Sequence, residues 1–436
     1  MKPIVSTPPY LICPALGLLF LALTGVARAQ GASDEAAAVV SLSTLVSEIT
    51  AKNPERQFYQ EEIVAAKAGA RLSSRLSDPE LSFDVGQKRL KDSSGVKIDD
   101  GAVWSISVTQ TFEWPGRLSL RKAIANRQVE LAELGVARFE NALMARARTL
   151  AFGLYAANAK ASAIREVSDR FSALKETFLA RDPAGITPLL ETRVIEASEL
   201  ALQRRATEAE LAVQAALIEL NQLRGTAVDA PLRVSAPALS FNAVPATTDL
   251  LTAAREKNFD YRMRLVELEQ QGFAVSLARN ERYPGISVSP YLSKDNVGDR
   301  ETIVGLGLSV PLPVSGRTGA AVDVANARRR QAEAAVLVAL RELDREVVTA
   351  AHAFATKLAE SRRWSPDAVQ KFREAADLAD RHYRTGAVPI ATYVELQNSY
   401  LDAVEALLDT QSETLAAGLK VQQLTGIELN PVEIKP

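Results

Sequence analysis

The side chains able to do chemistry are few and scattered. Two histidines, His352 and His382, stand thirty residues apart, the three methionines include the initiator, and the one cysteine, Cys13, sits at the start of an apolar run. A zinc or copper centre needs several nitrogen and sulfur ligands converging on one ion, and this inventory does not supply them. His382, beside Tyr383, reads as a packing residue near a turn rather than a ligand. Covalent catalysis needs a nucleophile beside a base, and phosphate binding needs glycines between a strand and a helix. Neither pattern occurs, since Gly305 and Gly307 fall inside a strand pattern. No enzyme activity, metal or cofactor is expected.

Charge narrows the partners as well. The 51 basic and 53 acidic residues nearly cancel, so the chain has no field that would favour nucleic acid or an anionic membrane surface. With 47% apolar and only 6% aromatic residues, and much alanine, the composition suits long, closely packed helices. The first 29 residues read as a secretory signal: Lys2, an apolar run from Leu11 to Val26, then Ala27-Arg28-Ala29 as a cleavage pattern. Its removal takes Cys13 with it and leaves 49 basic against 53 acidic residues, a balance of about −4. No later apolar run approaches the roughly 18 to 20 residues of a membrane helix, so any membrane crossing falls to strands.

The elements that would position functional groups occur twice. Asn53-Pro54 is answered by Asn258-Phe259 and Pro79 by Pro284, each 205 residues on, while Gly116-Arg117 is answered by Gly316-Arg317, 200 on. Gly185 pairs with Gly386, and Arg224-Gly225 with Thr425-Gly426, both 201 on. Landmarks in one order with small slips at loops mark a tandem duplication. Each half reads as a helix (Pro54 to Ser77; Phe259 to Arg282), a hairpin (Glu80 to Leu90 with Ala102 to Trp114; Gly285 to Asp295 with Thr302 to Val314), and a long helical hairpin. In the second strand Trp104, Ile106, Val108 and Phe112 share one face, and Val103, Ser105, Ser107, Thr109 and Thr111 the other, the period-two pattern of a half-apolar strand.

Leu118 to Asp182 contains no proline and would extend about 95 Å as a helix. A return helix from about Ile186 to Leu223 ends before Gly225. The short helix before the hairpin and the return helix together nearly equal the uninterrupted one, so two helices stacked end to end could lie along a single long one. In the second half, from Thr318 to Arg384 and Pro389 to Leu424, Ser365-Pro366 predicts a restart inside the long helix. Val394, Leu401, Leu408 and Leu415 recur at intervals of seven, a coiled-coil seam.

Four half-apolar strands cannot close a barrel, and an open sheet in hydrocarbon leaves its edges unpaired at several kcal/mol per group. Three copies would supply twelve strands, a size known for outer-membrane barrels. The alternative is a periplasmic coiled-coil or adaptor protein that forms no pore, although such a protein would ordinarily carry one helical hairpin and no amphipathic strand pairs.

The duplicated halves, the Asn-Pro helix start, the Pro-Glu-Leu-Ser-Phe entry at Pro79 to Phe83, the Pro-Gly-Arg and Ser-Gly-Arg exits and the Tyr-x-x-Gly turn at Tyr383 to Gly386 resemble the TolC family of outer-membrane efflux proteins across essentially the whole mature chain. DPELSFDV and TQTFEWPGRLSLRKAIA look most like its CzcC-like, heavy-metal branch. The resemblance implies a mainly α fold with a membrane β part: a homotrimer forming a twelve-stranded β-barrel in outer-membrane lipid and a twelve-stranded helical tunnel in the periplasm. A periplasmic adaptor would dock on it, and an inner-membrane pump of the resistance-nodulation-division type would drive the cargo. With no ligand set of its own, the tunnel would be a passive duct, and the pump and adaptor would choose between heavy-metal cations and, alternatively, drugs or other organic compounds.

The resemblance also implies roles. Pro115, Gly116, Arg117, Gly316 and Arg317 would form the barrel-to-tunnel turns, with glycine allowing the bend and the arginines near the headgroup boundary. Ala184, Gly185, Ile186 and Thr187, with Thr385, Gly386, Ala387 and Val388, would be the adaptor-docking tips. Glu191, Tyr383 and Glu395 match parts of the family's gate, while Val388 and Thr392 replace its basic partner and first acid; Arg381 and Arg384 are alternative partners. Glu191 and Glu395 could equally be ordinary solvated helix residues. The implied division is a signal at 1–29, a first repeat at 30–230 (hairpin 80–114, helices 117–224), a linker at 231–246, a second repeat at 247–426 (hairpin 285–314, helices 318–425) and a tail at 427–436.

Overall fold

The computed structural model describes residues 39–179, 188–237, 239–364 and 366–429. The expected signal, the first tip turn from Ala184 to Thr187, and Ser365 lie outside these residues.

The first half opens with β1 (Val39–Val40) and α1 (Leu42–Lys52), a helix capped by Ser41, whose Oγ accepts from the Thr44 amide at 3.2 Å. Asn53 ends α1 and at once caps α2 (Pro54–Ser73), its Oδ1 accepting from Glu55 N at 2.9 Å, with proline at the first helical position where its missing N–H costs nothing. β2 (Glu80–Lys91) and β3 (Lys97–Phe112) form the hairpin. Then come α3 (Arg117–Leu179), α4 (Pro188–Arg224) and β4 (Arg233–Val234), which pairs in parallel with β1.

The second half repeats this order with α5 (Thr247–Lys257), α6 (Phe259–Asn280), β5 (Ile286–Asp295), β6 (Glu301–Ser309), α7 (Arg317–Ser361), α8 (Pro366–Arg384) and α9 (Ile390–Thr425). The restart at Pro366 follows the sequence reading. Two expectations shift. α1 and α5 precede the Asn-Pro and Asn-Phe landmarks, which join two helices rather than start the first. The last strand stops at Ser309 instead of Val314, since Pro311 and Pro313 have no N–H to give a ladder.

α2 and α4 both lie along α3, as their lengths suggested. Their ends meet where buried Asn53 donates from Nδ2 to the carbonyl of Leu223 at 3.0 Å. Asn258 does the same to Leu424 at 3.3 Å. A core of Leu45, Ile49, Phe152, Leu154 and Leu220 packs α1, α3 and α4 together, with Leu408, Leu415 and Leu419 of α9 closing it. Leu401, Leu408 and Leu415 are buried and Val394 is packed against the neighbouring cluster, so the seven-residue seam is realised. Among the described residues no helix is long and apolar enough to cross a membrane.

Candidate functional site

The sheet has the order β2-β3-β5-β6, antiparallel throughout, so the two hairpins lie side by side through β3 and β5. Its register sorts the side chains. Phe83 stands opposite Ile106, Ile106 opposite Leu292 and Leu292 opposite Val304, giving one apolar row across all four strands. Leu81, Val85, Val108, Phe112, Ile286, Leu306 and Leu308 fall on the same face by the alternation of the strand, and Val304 is 80% exposed.

The opposite face is hydroxyl-rich. Thr109 and Ser289 are hydrogen-bonded at 2.9 Å, Thr111 and Ser287 at 2.9 Å, and Ser105 donates to Asp84 Oδ2 at 3.1 Å. Lys88 pairs with Asp295 there at 2.5 Å. Tyr291 lies over Gly305 on this face: a Cβ on Gly305 would sit 2.4 Å from the ring, so any other residue there would displace the tyrosine. One face of the sheet thus suits an apolar medium and the other an aqueous one.

Below the sheet the chain turns into the helices through Gly116 and Gly316, at φ 88° and 72°. Here the halves differ. Arg117 is clamped onto the end of α6: Nε donates to Asn280 Oδ1 at 3.2 Å, and Nη2 to the carbonyls of Asn280 at 3.3 Å and Tyr283 at 2.6 Å. Asn280 Nδ2 donates in return to the Pro115 carbonyl at 3.0 Å, and Trp114 stacks on Tyr283 with ring centres 5.0 Å apart. Arg121 is paired with Glu113 one turn on. Arg317, by contrast, is exposed and has no side-chain hydrogen bond or ion pair within the described residues.

At the other end of the helices, Gly386 closes the α8–α9 turn at φ 77°, with Gly386 N donating to Tyr383 O at 2.9 Å and Ala387 N to His382 O at 2.8 Å. Thr385, Gly386 and Ala387 are exposed, and Val388 packs against the cluster above. Of the gate candidates, Tyr383 is turned inward, 7% exposed, and stacks on buried Tyr393 at 5.3 Å, which in turn meets Phe171 at 5.1 Å. Glu395 is exposed and Glu191 half-buried in the first turn of α4. Arg384 is occupied by Asp380 at 2.9 Å, and Arg381, among the described residues, donates only to the Asp377 carbonyl at 3.4 Å.

Sequence reading missed a polar network just above this turn. Arg170 on α3 reaches Glu166 at 2.6 Å and Asp377 of α8 at 2.6 Å, Arg373 of α8 reaches Glu166 at 3.0 Å, and Gln397 of α9 donates to Ala376 O at 2.9 Å. The Glu166 hydrogen bond pushes the Arg373 guanidinium further up, keeping it charged. Burial pushes the Tyr393 and Tyr400 phenols up, so both stay protonated. The Glu166/Arg170 spacing of four was visible in the sequence, but nothing local could name partners two hundred residues away.

Residues 250–427 match the family described as outer membrane efflux protein. No curated protein matches the chain. Several solved structures share its fold, among them the three that follow. CusC, crystallised in a study of folding and transmembrane channel formation, superposes with a TM-score of 0.72 at 15% identity, over 89% of this chain and 93% of that one. A membrane protein from Pseudomonas aeruginosa gives 0.73 at 20% identity, over 89% and 90%. The CmeC outer membrane channel of Campylobacter jejuni gives 0.74 at 16%, over 88% and 85%. The second repeat thus carries an outer membrane efflux domain. The fold of the chain is that of these channel structures.

Proposed function

We propose that this chain is the outer-membrane duct of a tripartite efflux system, a passive homotrimer carrying heavy-metal cations from an inner-membrane resistance-nodulation-division pump and its periplasmic adaptor to the exterior. The observation that carries the reading is the sheet: one apolar face, one hydroxyl face and two bare edges, continuous through Gly116 and Gly316 with helices of which the longest spans 63 residues. The apolar face suits lipid and the hydroxyl face a wet lumen, while the bare edges call for neighbouring copies. The efflux domain at 250–427 supports the outer-membrane placement.

On this reading the α8–α9 turn, Thr385 to Val388, meets the adaptor, with the turn from Ala184 to Thr187 as its counterpart. Glu191 and Glu395, repeated around the axis, would narrow the helical end with acid, answered by Arg381 and Arg384; Tyr383 would support that end from within the packing. Rings of carboxylate on a narrow bore attract cations and repel one another. The metal cargo rests on the likeness to the CzcC-like branch, since the protein offers no ligand cluster among the described residues.

Two measurements test the proposal. Detergent-solubilised outer membranes should yield heat-resistant trimers that conduct in planar bilayers; a water-soluble monomer from the periplasm would return the chain to the adaptor class. A deletion strain should become metal-sensitive, and unchanged metal tolerance with lost drug tolerance would reassign the cargo to organic compounds.

A further inference from the structure

The surfaces through which the two halves meet exist twice, and only one set is used. β3 and the Arg117 turn engage β5 and the end of α6, while the repeat copies, β6 with the Arg317 turn on one side and β2 with residues 75–78 on the other, are bare. Leu81, Leu312 and Val314 are 68%, 75% and 88% exposed. β5 repeats β2 at a spacing of 205 (Pro284 for Pro79, Ile286 for Leu81), and residues 301–317 repeat 101–117 at 200 (Gly316-Arg317 for Gly116-Arg117).

Resting on the duct reading, we propose that the edge contact between copies of this chain repeats the contact between its halves, residue for residue, and is locked by Arg317 of one copy on the 75–78 turn of the next. The pairing of Phe112 with Ile286, and of Gln110 with Val288, sets the register. Carried to the copies, it puts Leu308 opposite Val85, with Val310 and Leu312, beyond the end of β6, level with Phe83 and Leu81. Leu308 and Val85 both belong to the apolar face, as continuity of that face demands; a slip of one residue would turn one strand's apolar set into the lumen. The same register sets Ser309 level with Asp84 and Glu301 level with Asp92, so β6 lies along residues 84–92 of the next copy.

The junction changes character while keeping its geometry. Residues 75 and 78 replace Asn280 and Tyr283, so the guanidinium of Arg317 meets the carbonyls of Arg75 and Asp78 in the next copy. Where Trp114 stacks on Tyr283 inside the chain, Val314 and Asp78 stand between copies. The Asp78 carboxylate therefore pairs with Arg317, and Arg75 extends away from it. The seam within a copy is aromatic; the seam between copies is ionic, and salt weakens it.

Cysteine pairs in the full-length protein test the register. Val85→Cys with Leu308→Cys should give cross-linked trimers on oxidation, whereas Phe83→Cys or Gln87→Cys with Leu308→Cys should give little. Cross-links from either displaced pair in preference, or none from any pair, would overturn the proposal. Conductance measured on the same samples separates the two ideas: conducting protein without the Val85/Leu308 cross-link overturns only this contact, and loss of both overturns the duct as well. For the lock, Arg317→Glu should lower the trimer-to-monomer ratio by about threefold per interface. Asp78→Arg in the same chain should restore it. A ratio unmoved by Arg317→Glu, or unrestored by the charge exchange, would remove Arg317 from the contact.

Discussion

Asn53 donates its side-chain amide to the carbonyl of Leu223, 170 residues away, at 3.0 Å, while its Oδ1 caps α2. One buried amide therefore ends one helix and begins another, so that α4 and α2 read as one interrupted rod against α3. Asn258 repeats both bonds, to Leu424 O at 3.3 Å and from Tyr261 N at 3.0 Å. Replacing Asn53 by alanine removes a cap and strands a buried carbonyl, a loss of about 1 to 3 kcal/mol. Asn53→Asp keeps the cap acceptor but sets a carboxylate against a carbonyl, so it should recover little of that loss. Thermal unfolding followed by circular dichroism in detergent would show both, and a melting temperature unchanged by Asn53→Ala would refute the role.

Arg170 holds two carboxylates from two helices, Glu166 and Asp377, each at 2.6 Å, and its side chain is only 18% exposed. Arg170→Ala leaves those acids without their shared cation and should cost about 1 to 3 kcal/mol. Arg170→Lys should recover only part, because a single ammonium cannot reproduce a forked donor. Faster amide hydrogen exchange in α8 than in α1 is the expected signature; an unchanged α8 would mean that apolar packing alone fixes the helix.

Glu48 carries a pH dependence of definite sign. Burial alone would raise its carboxyl, but hydrogen bonds and charge from Lys52 and Arg224 win, and the group is held below its ordinary 4.5. A lowered folded value stabilises above the unfolded value and loses that contribution as pH falls through the folded one. Glu48→Gln should therefore unfold more easily at pH 7, by about 0.5 to 1 kcal/mol given its partial exposure. The gap should close below pH 4.5. A gap that widened with acid would reverse the assignment.

The sequence disclosed its elements unevenly. Where one residue type decides the backbone, reading succeeded: glycine at positive φ in the Gly116, Gly316 and Gly386 turns, proline opening α8, and alternation dividing the Trp104 face from the Thr109 face of β3. The helices α1 and α5 escaped because each is 11 residues long and ends at an asparagine that reads equally as a start. The last strand is shorter than expected because Pro311 and Pro313, set between Val310, Leu312 and Val314, give no N–H to a ladder. The Arg170 network was illegible for another reason: its partners are brought together by the folding of α8 against α3, and no local pattern records that packing. The inward turn of Tyr383 belongs with it, since a tyrosine one position from an exposed histidine carries no mark of which way it faces.

The bare margins of the sheet have a genetic meaning. In the proposed assembly, a wall shared among identical chains is spoiled by any member whose margin is faulty, because sound members have no way to seal around it. In a cell holding both a normal allele and one whose β2 margin is damaged, inactive mixed assemblies would outnumber working ones, and the damaged allele would behave as dominant. A lesion inside the Tyr383 packing that keeps the chain from folding would remove its product from the pool and behave as recessive.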